Sequence, residues 1–359
     1  MSVRELRRHV GRLAIVGFGG HSVPDDLRAL IAEFDLGGVI YFARNVAEPR
    51  QLAEVSREVA ALARHWPLWI SVDQEGGRVQ RLKAPFTEWP PVNTLGRSGD
   101  ASLARRFAAA LATELLAVGI NLDYAPVLDV LTNPRNPAIG DRALSDRSDE
   151  VARLGGVLIE TLQAAGVAAC GKHFPGHGDT SEDSHHELPV LDHDRRRLDA
   201  IELPPFRQAI AADVASIMVA HLLLPALDPD RPTSLAPAIV QTLLKDTLRF
   251  PGMVLSDDLG MQAIGSSRSL PVAAVDALLA GCDGVLLCNV GVDEQARALE
   301  AIIRAAESDE LTTTRIDDAM ARQRRAKARF LANRRPAPDL SLVGCEAHQA
   351  LAREMAAWQ

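Results

Sequence analysis

Eight short apolar runs, each followed by a stretch of helical periodicity, most tightly limit how this chain can fold. They are Leu13–Phe18, Gly38–Phe42, Leu68–Val72, Ile120–Tyr124, Val167–Cys170, Ser216–Ala220, Met253–Ser256 and Gly284–Cys288. They are apolar at nearly every position instead of every second one, which suits parallel strands covered on both faces. Between them lie amphipathic stretches such as Asp25–Phe34, Pro49–Arg64, Ser102–Val118, Asp149–Ala165, Leu203–Ala212, Ala236–Thr247 and Pro271–Ala280. Asp100 before Ser102 and Pro271 at a first turn are helix-entry signals. Eight strand–helix units predict an α/β fold, a single (β/α)8 TIM barrel. A doubly wound open sheet is the rival, but no Gly-x-Gly-x-x-Gly fingerprint follows the first run; Gly17, Gly19 and Gly20 are too closely spaced.

The expected domain division is a barrel over 1–333 and a linker with a C-terminal helical extension over 334–359. The run Arg334-Arg335-Pro336-Ala337-Pro338 marks the break, and Cys345 to Trp358 reads as a last amphipathic helix packed on the barrel. A net charge of −8 argues against a general nucleic-acid surface. The basic run Arg315, Arg322, Arg324, Arg325, Lys327 and Arg329 is expected to be a solvated helix face. No stretch approaches the ~18 apolar residues of a membrane span. The four cysteines form no Cys-x-x-Cys pair, and no leader-like segment with a cleavage site opens the chain, so a cytoplasmic protein is expected.

A barrel builds its active site at the C-terminal ends of its strands. Polar residues gather there in this sequence: Asp73 to Arg81 past the third run, Asp123 with Asp141 and Arg142 past the fourth, Lys172-His173 past the fifth. His221, Asp257-Asp258 and Asn289 follow the sixth, seventh and eighth. The strand starts show no comparable clustering. The densest segment is KHFPGHGDTSEDSHHELP, Lys172 to Pro189, broken by Pro175, Gly176 and Gly178 and therefore read as a loop.

Asp257 at a strand end can serve as the fixed carboxylate nucleophile that a retaining glycosidase needs. The alternative is that Asp257 or Asp258 caps the following helix. His185, two residues after Asp183, suits a carboxylate–imidazole pair that donates and accepts a proton near neutral pH. Asp73, Arg81, Arg142, Lys172 and His173 suit clamps on sugar hydroxyls. The donor types around His173, His177 and Asp179 also allow a zinc site, but the spacing is wrong and Lys172 opposes a cation, so no metal and no other cofactor is expected. Only 4% aromatic residues, with no stacking row, favour a small pocket for one sugar over a polysaccharide cleft.

These residues resemble the β-N-acetylhexosaminidases of glycoside hydrolase family 3. The likeness is carried by the loop segment together with SVDQEGGRVQRL (71–82), NLDYAPVLDV (121–130), IGDRAL (139–144) and LSDDLGM (255–261), in order from about Leu13 to Asn289. The resemblance implies a TIM barrel, Asp257 as nucleophile, His185 as general acid/base partnered by Asp183, and N-acetylglucosamine bound by Asp73, Arg81, Arg142, Lys172 and His173. It further implies metal-free, retaining release of terminal β-linked N-acetylglucosamine from cell-wall muropeptide fragments, a small-molecule glycoside substrate. A glycine at 260 departs from the serine of many relatives. The family's glucosidase branch usually draws an acid from a second domain, which this sequence does not display. A β-glucosidase or a phosphorylase are the same-fold alternatives, the latter because a histidine base, neutral when deprotonated, would not repel phosphate. The 171–178 segment is expected to swing in order to deliver His185. The oligomeric state is left open.

Overall fold

A computed structural model describes residues 3–184, 187–332 and 336–359. Eight parallel strands close into one barrel: β1 (Ala14–Gly17), β2 (Gly38–Tyr41), β3 (Trp69–Val72), β4 (Leu122–Asp123), β5 (Ala168–Phe174), β6 (Ser216–Val219), β7 (Met253–Asp258) and β8 (Gly284–Leu287). Each pairs with its neighbours in chain order, and β1 closes on β8. All eight coincide with the apolar runs, and nearly all of their residues are buried, as a sheet covered on both faces requires. Every strand alternates between two apolar layers. Ile15, Ile40, Trp69, Leu122, Cys170, Met218, Leu255 and Leu286 fill the barrel interior. The opposite faces, with Val39, Val72, Ile217 and Val254 among them, pack on the helical ring.

The helices begin and end close to the amphipathic stretches. Asp100 caps Ala101–Ala117 by accepting the Ser102 N–H at 2.7 Å. Gly166 ends Ser148–Ala165 in the left-handed region (φ 110°) and Gly281 ends Leu270–Ala280 in the same way (φ 117°), as a helix stop demands. Helix Glu346–Ala356 lies against Ala101–Ala117, with Met355 buried and His348 Nδ1 2.8 Å from Glu114. No helix among the described residues is long and apolar enough to cross a membrane.

Two expectations are corrected. Lys172 and His173 do not open a loop: β5 continues through them to Phe174. Residues 171–177 are buried, and the N–H groups of His173 and His177 both donate to Asp129. A Cβ on Gly178 would lie 1.9 Å from the Val130 carbonyl oxygen, so the chain passes too closely there for any other residue. The second correction concerns the basic run, which is only partly a solvated face. Helix Thr313–Leu331 plugs the barrel bottom with Phe330 and Leu331, and its buried Lys327 donates to the carbonyls of Gly37 and Pro67, both at 2.6 Å. Arg315 and Lys245 meet the buried Asp283, each at 2.6 Å, at the start of β8. The strand starts therefore carry their own polar cluster, assembled from residues distant in sequence.

Lys327→Met should remove the donor shared by two carbonyls beneath the barrel and cost about 1–3 kcal/mol of stability. Because the bottom face is remote from the strand tips, kcat should stay within about twofold of wild type. Denaturant unfolding beside steady-state kinetics checks both, and a large loss of kcat would contradict the separation of the two faces.

Candidate active site

The strand tips converge on a cavity of about 250 Å³, a size for one sugar ring, lined by residues from seven of the eight strands or the segments that follow them. Its polar wall contains Asp73, Arg81, Arg142, Lys172, His173 and Asp257, so six of the eight sequence-predicted site residues share one space. Ser184, the described neighbour of the remaining two, lines it as well. Asp183 is half-buried in the segment leading there, and His185 lies outside the described residues.

Lys172 is the centre of the polar wall. It is 2% exposed, and its ammonium donates to Asp73 at 2.7 Å and pairs with Glu75 at 2.7 Å. Burial alone would lower its pKa, but the two carboxylates overcome this and hold it above the ordinary lysine range. Glu75 also takes a two-pronged bond from Arg142, Nε to Oε2 and Nη2 to Oε1, both at 2.8 Å. Burial resists the Glu75 charge, yet Arg142 and Lys172 keep this carboxyl well below the usual glutamate range. Arg81 completes the cluster 3.5 Å from Asp73. A cation buried between carboxylates is fixed in place, which is what gripping a hydroxyl pair requires.

His173 is set by Asp129, which is fully buried and lies 2.7 Å from His173 Nδ1 while accepting the His177 N–H at 2.7 Å. Burial pushes the Asp129 carboxyl upward, but His173 reverses this and keeps it charged. With Nδ1 engaged, His173 has Nε2 for a ligand. His177 Nε2 meets Ser184 Oγ at 3.2 Å, and the Ser184 carbonyl accepts the Ala263 N–H at 3.3 Å. The Asp183–Ser184 stretch is thereby tied to the turn after β7, beside Asp257.

The two aspartates at the β7 tip have different environments. Asp258 accepts from the N–H groups of Gly260 (3.1 Å) and Cys288 (3.0 Å) and from Asn289 Nδ2 (3.0 Å), which joins the ends of β7 and β8. Burial leaves its pKa raised. Among the described residues Asp257 has a single hydrogen bond, from the Asp258 N–H at 2.8 Å, and it faces the cavity. Burial would raise it, but His221, His173, that N–H and Lys172 together draw it below the ordinary aspartate range. His221 is fully buried, which lowers its pKa; its Nε2 lies 3.0 Å from the Asp258 carbonyl and its Nδ1 2.7 Å from Ser234 Oγ. A charged carboxylate with free lone pairs, fixed at a strand end, can attack an anomeric carbon.

Asp129 was missed by sequence reasoning, and Glu75 and His221 were placed among the strand-end polar residues without a role, although each lies within a few residues of an apolar run, the same signal that marked Asp73 and Asp257. Asp179 was placed with the histidine cluster but turns away, 3.0 Å from His193 Nε2. Among the described residues, no group of three or more His, Cys, Asp or Glu side chains could hold a metal ion.

This arrangement defines a sugar-cleaving barrel, and comparison with known proteins agrees. Residues 5–326 match the model of the glycosyl hydrolase family 3 N-terminal domain. A β-hexosaminidase of Nitrosomonas eutropha is 41% identical over 281 residues, which is 77% of this chain and 80% of that protein. A family 3 β-N-acetylglucosaminidase from Paenibacillus sp. superposes with a TM-score of 0.93 at 41% identity, covering 98% of this chain and 68% of that one. NagZ from Neisseria gonorrhoeae, solved in complex with N-trifluoroacetyl-D-glucosamine, gives a TM-score of 0.81 at 30% identity, covering 96% and 97%. The chain belongs to glycoside hydrolase family 3, among its β-N-acetylhexosaminidases.

Glu75 and the fully buried Asp123 should act oppositely on stability as pH changes. The depressed Glu75 pKa adds stability that is complete above its unfolded value of about 4.3 and is lost as pH falls below it. Asp123 is pushed well above its ordinary value by burial, so its contribution is present below about pH 3.9 and is lost as pH rises. Glu75→Gln leaves Lys172 and Arg142 short of one carboxylate and should cost about 3–5 kcal/mol at neutral pH. Thermal unfolding across pH should show that deficit narrowing below about pH 4.3, and a pH-independent deficit would contradict the assignment.

Proposed function

We propose that the protein is a retaining exo-β-N-acetylglucosaminidase that removes terminal β-linked N-acetylglucosamine from peptidoglycan-derived fragments in the cytoplasm. The observation that carries this reading is the contrast at the β7 tip: Asp257, its pKa drawn down, takes one hydrogen bond from the described residues and lines a one-sugar cavity, whereas Asp258 is consumed by three donors. In this reading the sugar hydroxyls are held by Asp73, Arg81, Arg142, Lys172 and His173, which places the anomeric carbon over Asp257.

Attack by an Asp257 oxygen forms the glycosyl–aspartate bond as the bond to the leaving oxygen breaks. His185, partnered by Asp183, gives that oxygen a proton. It then takes one from water, whose oxygen attacks the anomeric carbon and releases Asp257. The tie of Ser184 to both His177 and Ala263 supports this role, because it fixes the residue next to His185 beside the nucleophile strand. The solved NagZ complex with an N-acylated glucosamine supports the choice of sugar.

Asp257→Ala should lower kcat by at least about three orders of magnitude while still binding N-acetylglucosamine. His185→Ala should lose about 10²–10⁴-fold on a poor leaving group and far less on 2,4-dinitrophenyl glycoside, whose leaving oxygen needs no proton. Near-normal turnover in the first variant, or equal losses on both substrates in the second, would refute these roles.

A further inference from the structure

Arg81 follows a hairpin that projects beyond β3, in which Gln74–Gly76 pairs with Val79–Gln80. Its own side chain holds it only loosely. Among the described residues the guanidinium has the 3.5 Å contact with Asp73 and the Phe42 ring 5.4 Å away, and its buried Nε has no partner. The aim of Arg81 is therefore set by the backbone that carries it. We propose that the C-terminal tail, residues 339–359, braces this hairpin from outside the barrel, and that Glu114 and His348 are positioning residues for Arg81. The inference rests on the reading of Arg81 as a sugar clamp given above.

Three links join the tail to Arg81. The first is Glu114, a buried carboxylate on helix Ala101–Ala117. Its Oε1 lies 2.8 Å from His348 Nδ1 and accepts the Gly344 N–H at 3.0 Å, both from the tail. The same oxygen accepts the Thr87 hydroxyl at 2.5 Å, and Oε2 accepts the Thr87 N–H at 3.0 Å. Burial would raise the Glu114 pKa, but the hydrogen bonds from His348, Thr87 and Gly344 hold it below the ordinary glutamate range. An ionised carboxylate only accepts, so His348 Nδ1 is the donor.

The second link is Trp89, two residues beyond Thr87. Its N–H donates to Gln80 Oε1 at 3.1 Å, and its carbonyl accepts from Gln80 Nε2 at 3.2 Å and from the Gly77 N–H at 2.8 Å. The third is Gln74, whose Oε1 accepts the N–H groups of Arg81 at 2.8 Å and Leu82 at 3.0 Å. Each link is a side chain that bonds backbone, so a shift at Glu114 reaches the Arg81 main chain through Thr87, Trp89 and the hairpin.

The tail is shaped for this contact. Gly344 has φ 61°, and a Cβ on it would lie 1.9 Å from the Pro85 carbonyl oxygen, so only glycine lets the tail close on the segment before Thr87. The His348 ring stands 6.2 Å from the Trp89 ring, centroid to centroid. Glu114 thus accepts from the tail on one side and from the segment returning to the hairpin on the other. Removing one donor leaves a buried charge short of a partner, and the carboxylate must move to regain one.

The test is a double-mutant cycle in the full-length enzyme with 4-nitrophenyl N-acetyl-β-glucosaminide, assayed below the unfolding transition of every variant. His348→Phe removes the donor but keeps a ring against Trp89, so the fold should persist. It should lower kcat/KM about 3- to 10-fold, mostly through KM. His348→Asn, which offers an amide N–H near the position of Nδ1, should restore most of the loss. Arg81→Ala alone should lower kcat/KM about 10- to 100-fold. In the Arg81→Ala background His348→Phe should cost no further kcat/KM, whereas its effect on thermal unfolding should be the same in both backgrounds. A loss in the double variant equal to the product of the single losses marks a merely structural tail and overturns the brace, as does wild-type kcat/KM in His348→Phe. Wild-type kcat/KM in Arg81→Ala would instead remove the clamp from the proposed function, and the brace with it.

Discussion

The ammonium of Lys172 at the tip of β5 is the interaction on which the rest of the site depends. Removing a cation from water is costly, and only close, well-aligned anions offset it. Asp73 and Glu75 supply that offset, both at 2.7 Å, and each then has a second positive partner in Arg81 or Arg142. The result is a charge lattice spanning the ends of β3 and β5 and the turn after β4. No member can move without exposing another to an unmatched buried charge, so rigidity at this wall of the cavity follows directly from electrostatics.

The same logic separates the adjacent aspartates. Asp258 faces inward along the barrel rim, where backbone N–H groups from β8 and the turn after β7 are waiting, and becomes a structural joint. Asp257 points into the cavity, where the described residues offer it only one hydrogen bond and a field of positive and hydrogen-bonding groups. Strand alternation decides which is which, since successive side chains on a strand point to opposite faces. The bottom of the barrel has its own buried charges around Asp283, but these are closed by Lys245 and Arg315.

The barrel was legible in the sequence because its strands are buried on both faces and read as unbroken apolar runs, a signal that needs no knowledge of distant contacts. The polar lining of the cavity was legible for a related reason: Asp73, Lys172 and Asp257 each follow such a run. What escaped was everything defined by pairing across the barrel. Glu75 was indistinguishable from its neighbours until Arg142, 67 residues away, was found on it. Asp129 becomes informative only once His173 and His177 fold back onto it. The extent of β5 was misread because Pro175 and Gly176 suggested a loop, whereas the strand continues to Phe174 under cover of Phe206. The basic run on helix Thr313–Leu331 looked solvated because the carbonyls it meets carry no sequence signature.

The most direct test of the central claim is to trap the enzyme with a 2-acetamido-2-deoxy-5-fluoroglycosyl fluoride and map the modified peptide by mass spectrometry. A stoichiometric adduct on the Asp257 carboxylate is the predicted result. A label on Asp258, or complete inactivation with no covalent sugar on either residue, would contradict it.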